Sequence, residues 1–83
     1  PDHPYVAASL TNLAGAYQAQ GKYAEAESLY QQALAKVKKA LGADHPKVAT
    51  VLQKIARFYK KAGKQEEAEK FEEQAKAIRS KSP

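Results

Sequence analysis

The 83-residue sequence contains no cysteine, which excludes a disulfide framework and any metal site built on thiolates. This absence agrees with a reducing compartment, and we expect a cytoplasmic location. No apolar run approaches the roughly 18 residues of a membrane-spanning helix, and no secretory signal peptide is visible. The few glycines are isolated, so no phosphate-binding loop and no nucleophile elbow is present. These absences argue against an enzyme, and we expect no cofactor.

The residues that could ligate a metal or catalyse a reaction are poorly placed for either task. His3 and His45 each precede a proline and lie far apart, without an accompanying His or Cys, so we assign them capping or turn roles. Paired carboxylates require a desolvated cleft for acid–base catalysis, and nothing in the sequence builds one. The acidic residues near the C-terminus therefore indicate a solvated helix face, with Glu72 and Lys76 forming an i,i+4 pair.

The sequence repeats itself with a period of 42 residues (positions 2 and 44). Asp2-His3-Pro4 returns as Asp44-His45-Pro46. A fixed period of roughly 20–50 residues is typical of a solenoid, in which each unit buries its apolar face against its neighbours. Such a protein is more often a binding scaffold than an enzyme. The other positions of the first copy that recur at this offset are Val6, Ala7, Leu10, Ala14, Tyr17, Gly21, Lys22, Glu25, Ala26, Glu27 and Ala33.

The spacing of apolar residues predicts four helices in two antiparallel hairpins. Positions 6–17 and 48–59 have the 3, 4, 3 spacing of one helical face, and so do positions 23–37 and 68–78. Gly21 and Gly63 supply the left-handed conformation that ends a helix. In the connector at 43–46, Asp44 is predicted to accept hydrogen bonds from free amides of the third helix, and Pro46 suits its first turn. Tyr17, Tyr30 and Tyr59 are interpreted as packing residues.

The run Leu10, Leu13-Ala14, Tyr17, Gly21, Tyr23, Ala26, Tyr30, Ala33 resembles the signature of the tetratricopeptide repeat (TPR). The longer period and the Asp-His-Pro-x-Val-Ala segment are similar to the 42-residue variety found in kinesin light chains and in many bacterial TPR proteins. The resemblance covers nearly the whole chain. It implies an all-α fold of two helix-turn-helix hairpins, residues 1–42 and 43–83, stacked as a short right-handed α-solenoid. It also implies a scaffold for protein–protein interaction.

In the TPR family, the first helix of each hairpin lines a concave groove. The resemblance therefore implies a peptide-binding groove in which an amide side chain and several cations converge, which suits a peptide with acidic groups or a free carboxylate. Arg57 could hold a carboxylate in a bidentate fork, and Asn12 could bind a peptide backbone. The candidate groove residues are Asn12, Gln18, Gln53, Lys54, Arg57, Lys60 and Lys61.

The distribution of charge and the positions at which the two repeat copies differ leave alternative functions open. The net charge of +5 lies mostly in the second half, where ten Lys/Arg oppose six acids. This excess favours an acidic protein or peptide partner; nucleic acid is a weaker candidate because no aromatic residues interleave with the cations. The last helix has polar residues where the second helix has apolar ones, which predicts that it ends an array. The first helix keeps an open face near Tyr5 and Leu13. Self-assembly through the open faces, giving a homo-oligomer, is therefore the main alternative.

Overall fold

The computed structural model describes the backbone of residues 4–81 and the side chains of residues 6–81, so His3 lies outside the described residues. This part of the chain forms four α-helices and contains no strand. None of the four helices combines the length and the apolar character needed to cross a membrane. The all-α fold predicted from the repeat is thus confirmed. The helices are α1 (Pro4–Ala19), α2 (Tyr23–Leu41), α3 (Pro46–Lys61) and α4 (Gln65–Lys81).

The same glycine turn closes both hairpins. Gly21 adopts a φ of 80° after α1, and Gly63 adopts a φ of 83° after α3. Residues with a Cβ rarely adopt this positive-φ region. In the first turn, the amide of Lys22 donates to the carbonyl of Tyr17 at 2.9 Å, and 42 residues later Lys64 donates to Tyr59 at 2.8 Å. This hydrogen bond spanning the helix end defines a Schellman motif. The chain therefore reverses direction within a few residues in both copies.

The connector before α3 corrects one prediction from the sequence. His45, rather than Asp44, caps α3: its Nδ1 accepts a hydrogen bond from the amide of Lys47 at 3.1 Å. Pro46 occupies the first helical position and has no N–H, so the first free amide belongs to the next residue, within reach of the side chain directly before the proline. Asp44 lies one residue too far away and instead contacts Lys81 at 3.5 Å on the surface. The capping role predicted for His45 is confirmed.

Small residues bring the helices of each hairpin together, and the two hairpins then stack through α2 and α3. α1 packs on α2, α4 packs on α3, and α1 barely touches α3. The alanines at these contacts are almost completely buried, which allows close approach of the helix axes. α3 contacts all three other helices, although α1 only marginally, and it buries the largest number of side chains in the described chain. The buried alanines are Ala7, Ala14, Ala26, Ala33, Ala49, Ala56, Ala68 and Ala75.

An aromatic cluster forms the contact between the hairpins. The ring of Phe58 on α3 is buried, with its centroid 5.2 Å from that of Tyr30 and 5.9 Å from that of Tyr23, both on α2. It also lies 5.2 Å from the ring of Tyr59, which in turn stacks on Phe71 of α4 at 5.3 Å. These separations lie in the favourable range for aromatic pairs. The packing role predicted for Tyr30 and Tyr59 agrees with this cluster, but the predicted stripe omitted Phe58, its centre.

Tyr59 also joins the hairpins through a hydrogen bond. Its hydroxyl donates to Glu27 Oε2 of α2 at 2.7 Å, a short bond to a charged acceptor. Burial, followed by this hydrogen bond, raises the pKa of Tyr59 to about 12, because the phenolate would be poorly solvated and would face the Glu27 carboxylate. The neutral hydroxyl is therefore part of the contact between α2 and α3.

Replacing a buried alanine with a larger residue should destabilise the fold. Ala68 on α4 is fully buried, so Ala68→Leu should lower the free energy of unfolding by about 1–3 kcal/mol through overpacking. Ala77 on the same helix is exposed, and Ala77→Leu should change it by less than about 0.5 kcal/mol. Denaturant unfolding followed by circular dichroism measures both. Equal effects of the two substitutions would contradict the close packing of α4 on α3.

Stability should fall as the pH rises from about 10 to about 12. In this range the tyrosine of the unfolded chain loses its proton while Tyr59 of the folded chain keeps it, so deprotonation favours unfolding. Tyr59→Phe should flatten this dependence, because it removes the titrating hydroxyl. Thermal melts at a series of pH values provide the test. Parallel pH profiles for this variant and the wild-type protein would rule out Tyr59 as the group responsible.

Candidate functional site

A groove runs between α1 and α3, with α2 behind it. Because α1 and α3 scarcely contact each other, the space between them stays open along their length. Two hollows of about 360 and 400 Å³ occupy this groove, and Lys54 lines both of them. They are therefore neighbouring parts of one channel that is open to solvent. A channel of this shape suits an extended or helical chain better than an enclosed small molecule.

The first part, which we call the cationic hollow, lies towards the C-terminal ends of α1 and α3. It brings together five of the seven residues predicted from the sequence. Tyr30 of α2 forms its back wall and donates a hydrogen bond from its hydroxyl to Gln18 Oε1 at 3.2 Å. This bond occupies the acceptor of the Gln18 amide and leaves the two Nε2 hydrogens for another partner. The cationic hollow is lined by Gln18, Tyr30, Lys54, Arg57, Lys60 and Lys61.

The second part, which we call the apolar hollow because most of its lining is apolar, lies towards the N-terminal ends of the same helices. It contains Asn12, another predicted residue, on the α1 side and Lys54 on the α3 side. Thr11 is buried there, and its hydroxyl donates to the carbonyl of Ala7 at 2.8 Å, so its hydrogen-bonding capacity is used within the helix. Two cations, Lys47 and Lys54, are the only charged residues of the apolar hollow, which is lined by Ala7, Ala8, Thr11, Asn12, Val37, Lys47, Thr50, Val51 and Lys54.

The side chains of Gln53 and Lys60 contact residues of α4. Gln53 lines neither hollow, and its Oε1 accepts a hydrogen bond from Arg79 at 2.8 Å. Lys60 lines the cationic hollow, but its Nζ lies 3.2 Å from Glu72 Oε2. The expected pairing of Glu72 with Lys76 is thus replaced by a contact across the hairpin. The structure therefore groups Gln53 with the α3–α4 face and places Lys60 between that face and the groove.

The sequence analysis did not predict two functional groups of the groove, the ammonium group of Lys47 and the hydroxyl of Tyr30. Lys47 lines the apolar hollow, and Tyr30, interpreted only as a packing residue, also contributes its hydroxyl to the cationic hollow. A signal for Lys47 was present, because Lys47, Lys54 and Lys61 are spaced seven residues apart, two helical turns, and so share one face of α3. Tyr30 carried no such signal, because only the packing of α2 behind the groove exposes its hydroxyl there.

The groove has an excess of positive charge. Within the part of the chain that the structure describes, Lys54, Arg57 and Lys61 form no ion pair with a carboxylate. Three unneutralised cations in one channel attract an anionic ligand. Burial raises the pKa of Tyr30, so its hydroxyl stays protonated and available for hydrogen bonding at neutral pH.

No metal site accompanies the cations: among the described residues, no three side chains of His, Asp or Glu converge closely enough to hold an ion.

The fold and the groove together define a class, the helical-repeat scaffold. The sequence profile of the tetratricopeptide repeat matches residues 1–81, so the chain belongs to the tetratricopeptide repeat family. No match was found among curated proteins. Tetratricopeptide repeats generally mediate protein–protein interactions and are non-enzymatic scaffolds.

Replacing Glu72 should show how much its ion pair with Lys60 reduces the positive charge available to a ligand in the groove. The side chains of Lys60 and Glu72 are 46% and 44% exposed, and exposed pairs contribute only about 0–1 kcal/mol. Glu72→Gln should therefore change the free energy of unfolding by less than about 1 kcal/mol and increase the affinity of the groove for anions. Melting temperature and titration with a fluorescent polyglutamate peptide measure the two effects. Weaker binding by this variant would show that Glu72 positions Lys60 for the ligand.

Proposed function

We propose that this protein binds an acidic or carboxylate-bearing segment of a partner protein in the groove between α1 and α3. The observation that carries the proposal is the cationic hollow, in which Lys54, Arg57 and Lys61 face one channel without described counter-ions. The mechanism is recognition by shape and charge without a chemical step. We also propose a cytoplasmic setting, which the absence of cysteine supports.

Each part of the groove has a distinct role in this proposal. Arg57 takes a carboxylate in a bidentate fork, and Gln18 donates from its Nε2 group to the same ligand. In the apolar hollow, Asn12 pairs with the peptide backbone through its donor and its acceptor, and the surrounding small side chains leave room for an apolar residue. Two hairpins offer limited contact area, so the affinity is modest.

The lysines of α3 give the groove a repeating charge. Lys47, Lys54 and Lys61 are each two helical turns apart, which at 1.5 Å per residue is about 10.5 Å. Three residues of a polyproline II segment make one turn, rise about 9.3 Å and return the side chain to the same face, whereas in a β-strand residues three apart point to opposite faces. A partner segment in the polyproline II conformation, with an acidic residue at every third position, therefore aligns its acids with successive lysines. This match favours a peptide with spaced acids over one with a single acidic residue.

The groove is less well suited to nucleic acid. Single-stranded nucleic acid is bound by aromatic side chains on which bases stack, but Tyr30, which lines the cationic hollow, is itself buried. Glu72 also lies beside Lys60 at the edge of the groove, where it would repel phosphates. An acidic peptide can avoid this carboxylate by placing its own acids along the line of lysines.

Reversing two groove charges should strongly weaken binding. Fluorescence anisotropy measures the binding of a labelled peptide that carries glutamate at every third position. The same peptide with glutamine at those positions serves as the ligand control. Lys54→Glu combined with Arg57→Glu should weaken binding of the acidic peptide at least about tenfold, because both cations line the cationic hollow. The wild-type affinity should also fall as salt is added, because the attraction is screened.

A matched variant separates the groove from the net charge. Lys38→Glu combined with Lys70→Glu changes the total charge by the same amount at exposed positions outside both hollows, and should leave the affinity within about twofold. Helicity by circular dichroism should be equal in all three proteins. If both double variants lose binding equally, the peptide senses only the overall charge, and the groove assignment fails. Tighter binding of single-stranded DNA than of the peptide would favour the nucleic-acid alternative.

A further inference from the structure

Besides the groove, the described chain has a cleft of about 370 Å³ between α3 and α4, which we call the α3–α4 cleft. Ala56 and Ala75, both buried, form its floor. Its walls carry four cations and one acid, and the cations include both arginines of the sequence. The two cations of α3 also line the cationic hollow, whereas those of α4 line neither hollow of the groove. The charged residues of the α3–α4 cleft are Arg57, Lys60, Glu72, Lys76 and Arg79.

Two contacts between the helices hold cations at the ends of this cleft. Arg79 donates a hydrogen bond to Gln53 Oε1 at 2.8 Å, and Lys60 Nζ lies 3.2 Å from Glu72 Oε2. The two contacts are seven residues apart along each helix, which corresponds to about 10.5 Å. Gln53 is neutral, so Arg79 keeps its full charge and has further N–H groups with which to bind a ligand.

Arg57 of α3 and Lys76 of α4 lie between these two contacts, one on each wall. Each is three or four residues from both contacts along its own helix, so its side chain shares their face. Neither side chain forms a hydrogen bond or an ion pair with another described residue. Since four cations oppose one acid, the α3–α4 cleft has a net charge of +3. An anion between the two walls would therefore face Arg57, Lys76 and Arg79, which no described carboxylate neutralises.

The internal repeat shows that these charges replace uncharged residues. In the first hairpin, the corresponding seam between α1 and α2 packs against α3, where Phe58 lies 5.2 Å from Tyr30. The alanine floor is the same in both copies, whereas five positions of the walls change from uncharged to charged. The α3–α4 cleft is therefore not an apolar packing surface. The residues that lie 42 positions before its charged residues are Gly15, Gln18, Tyr30, Leu34 and Val37.

The charges of α4 are separated by sign. Surfaces that are charged only for solubility mix both signs. On the outer face of α4, Glu66, Glu69 and Glu73 accompany a single cation, Lys70. In the α3–α4 cleft the proportion is reversed, with Glu72 as the one acid. A concave surface with an excess of positive charge favours an anionic ligand.

We propose that the α3–α4 cleft binds a phosphate monoester, with Arg57 and Arg79 contacting the phosphate from opposite walls. A phosphate monoester carries about −1.5 to −2 charge at pH 7 and three strong acceptor oxygens, which match the surplus of charge and of N–H donors in the cleft. A carboxylate has one charge and two oxygens, so a single guanidinium fork satisfies it. The cleft thus takes a different ligand from the groove, and the two proposals are independent.

Nuclear magnetic resonance of the isotope-labelled chain follows the binding of glycerol 2-phosphate at pH 7, where a phosphate monoester is mostly dianionic. The sequence has two arginines, so the Nε–Hε signals of Arg57 and Arg79 report directly on the cleft. Both signals should shift along one saturation curve, with a dissociation constant on the order of 1–10 mM because the cleft is open to solvent. Succinate, a dianion whose charges lie on two separate carboxylates, should bind at least about fivefold more weakly at equal ionic strength. Equal affinities for the two anions would overturn the proposal.

Substitutions on α4 separate the cleft from the groove. Lys76→Gln combined with Arg79→Gln should weaken binding of glycerol 2-phosphate at least about tenfold. The same variant should keep its affinity for the acidic peptide within about twofold, because neither residue lines the groove. Lys54→Gln combined with Lys61→Gln should do the reverse, so either proposal can fail without the other. Equal loss of phosphate binding in both double variants would overturn the proposal of a phosphate site.

Two further variants control for total charge and for folding. Lys38→Gln combined with Lys70→Gln removes the same charge at exposed positions outside the cleft and should keep the phosphate affinity within about twofold. Arg79→Lys keeps the charge, and it should weaken phosphate binding at least about threefold because lysine has no bidentate fork. This variant tests the site even if the double variant on α4 loses helicity. Lost binding in the first control, or unchanged binding by Arg79→Lys, would overturn the proposal.

A peptide carrying one phosphoserine identifies the source of the phosphate. Binding at least about tenfold tighter than that of glycerol 2-phosphate would assign the cleft to a phosphorylated protein segment. Equal binding would assign it to a small phosphate monoester, and either result supports the site. The same peptide with unmodified serine should not shift the two arginine signals. Equally tight binding of the unmodified peptide to the cleft would overturn the proposal.

Discussion

The packing of Phe58 between the two hairpins is the contact on which the rest of the structure depends. α1 and α3 form the walls of the groove but hardly touch, so the distance between them is set indirectly by the way α2 packs on α3. That packing is centred on Phe58, whose ring contacts Tyr23 and Tyr30, and it is supported by the hydrogen bond from Tyr59 to Glu27. Aromatic rings are large and have few rotamers, so they determine the separation of the helices closely. The width of the groove therefore follows from aromatic residues packed behind it, of which only Tyr30 also lines the groove.

The groove and the core share one helix, and this sharing explains the distribution of residues along α3. Val48, Leu52 and Ile55 face the neighbouring helices and are buried, while the lysines spaced two turns apart face the groove. A helix that is buried on two sides leaves a narrow exposed strip, and side chains on that strip form a straight line. The charge pattern of the groove is thus a consequence of how deeply α3 is packed.

The repeat made the helices and the hairpins predictable, and it also explains what was missed. Comparison of the two copies finds positions that stay the same, but Phe58 corresponds to Ala16 and so looked like a variable position. The pair between Lys60 and Glu72 spans twelve residues, and its formation depends on the antiparallel register of α3 and α4, whereas the sequence suggested the local i,i+4 partner. The capping role of His45 followed from Pro46, which removes one amide and shifts the cap by a residue. The sequence therefore predicts local elements well, and contacts between elements require the packing.

The unequal neighbours of the four helices have a consequence for motion within the folded state. α2 and α3 are each enclosed by two helices, whereas α1 packs chiefly on one and α4 on one. Local opening is least costly where few contacts hold an element, so amide hydrogens of α1 and α4 should exchange with solvent before those of α2 and α3. The groove then has one firmly held wall, α3, and one wall, α1, that can move away at lower cost. Arg57 and the lysines spaced seven residues apart lie on α3, the firmly held wall. These lysines are Lys47, Lys54 and Lys61. If the groove binds a partner segment as we propose, the charged side of the groove would keep its geometry while the opposite side adjusts to the width of the bound chain.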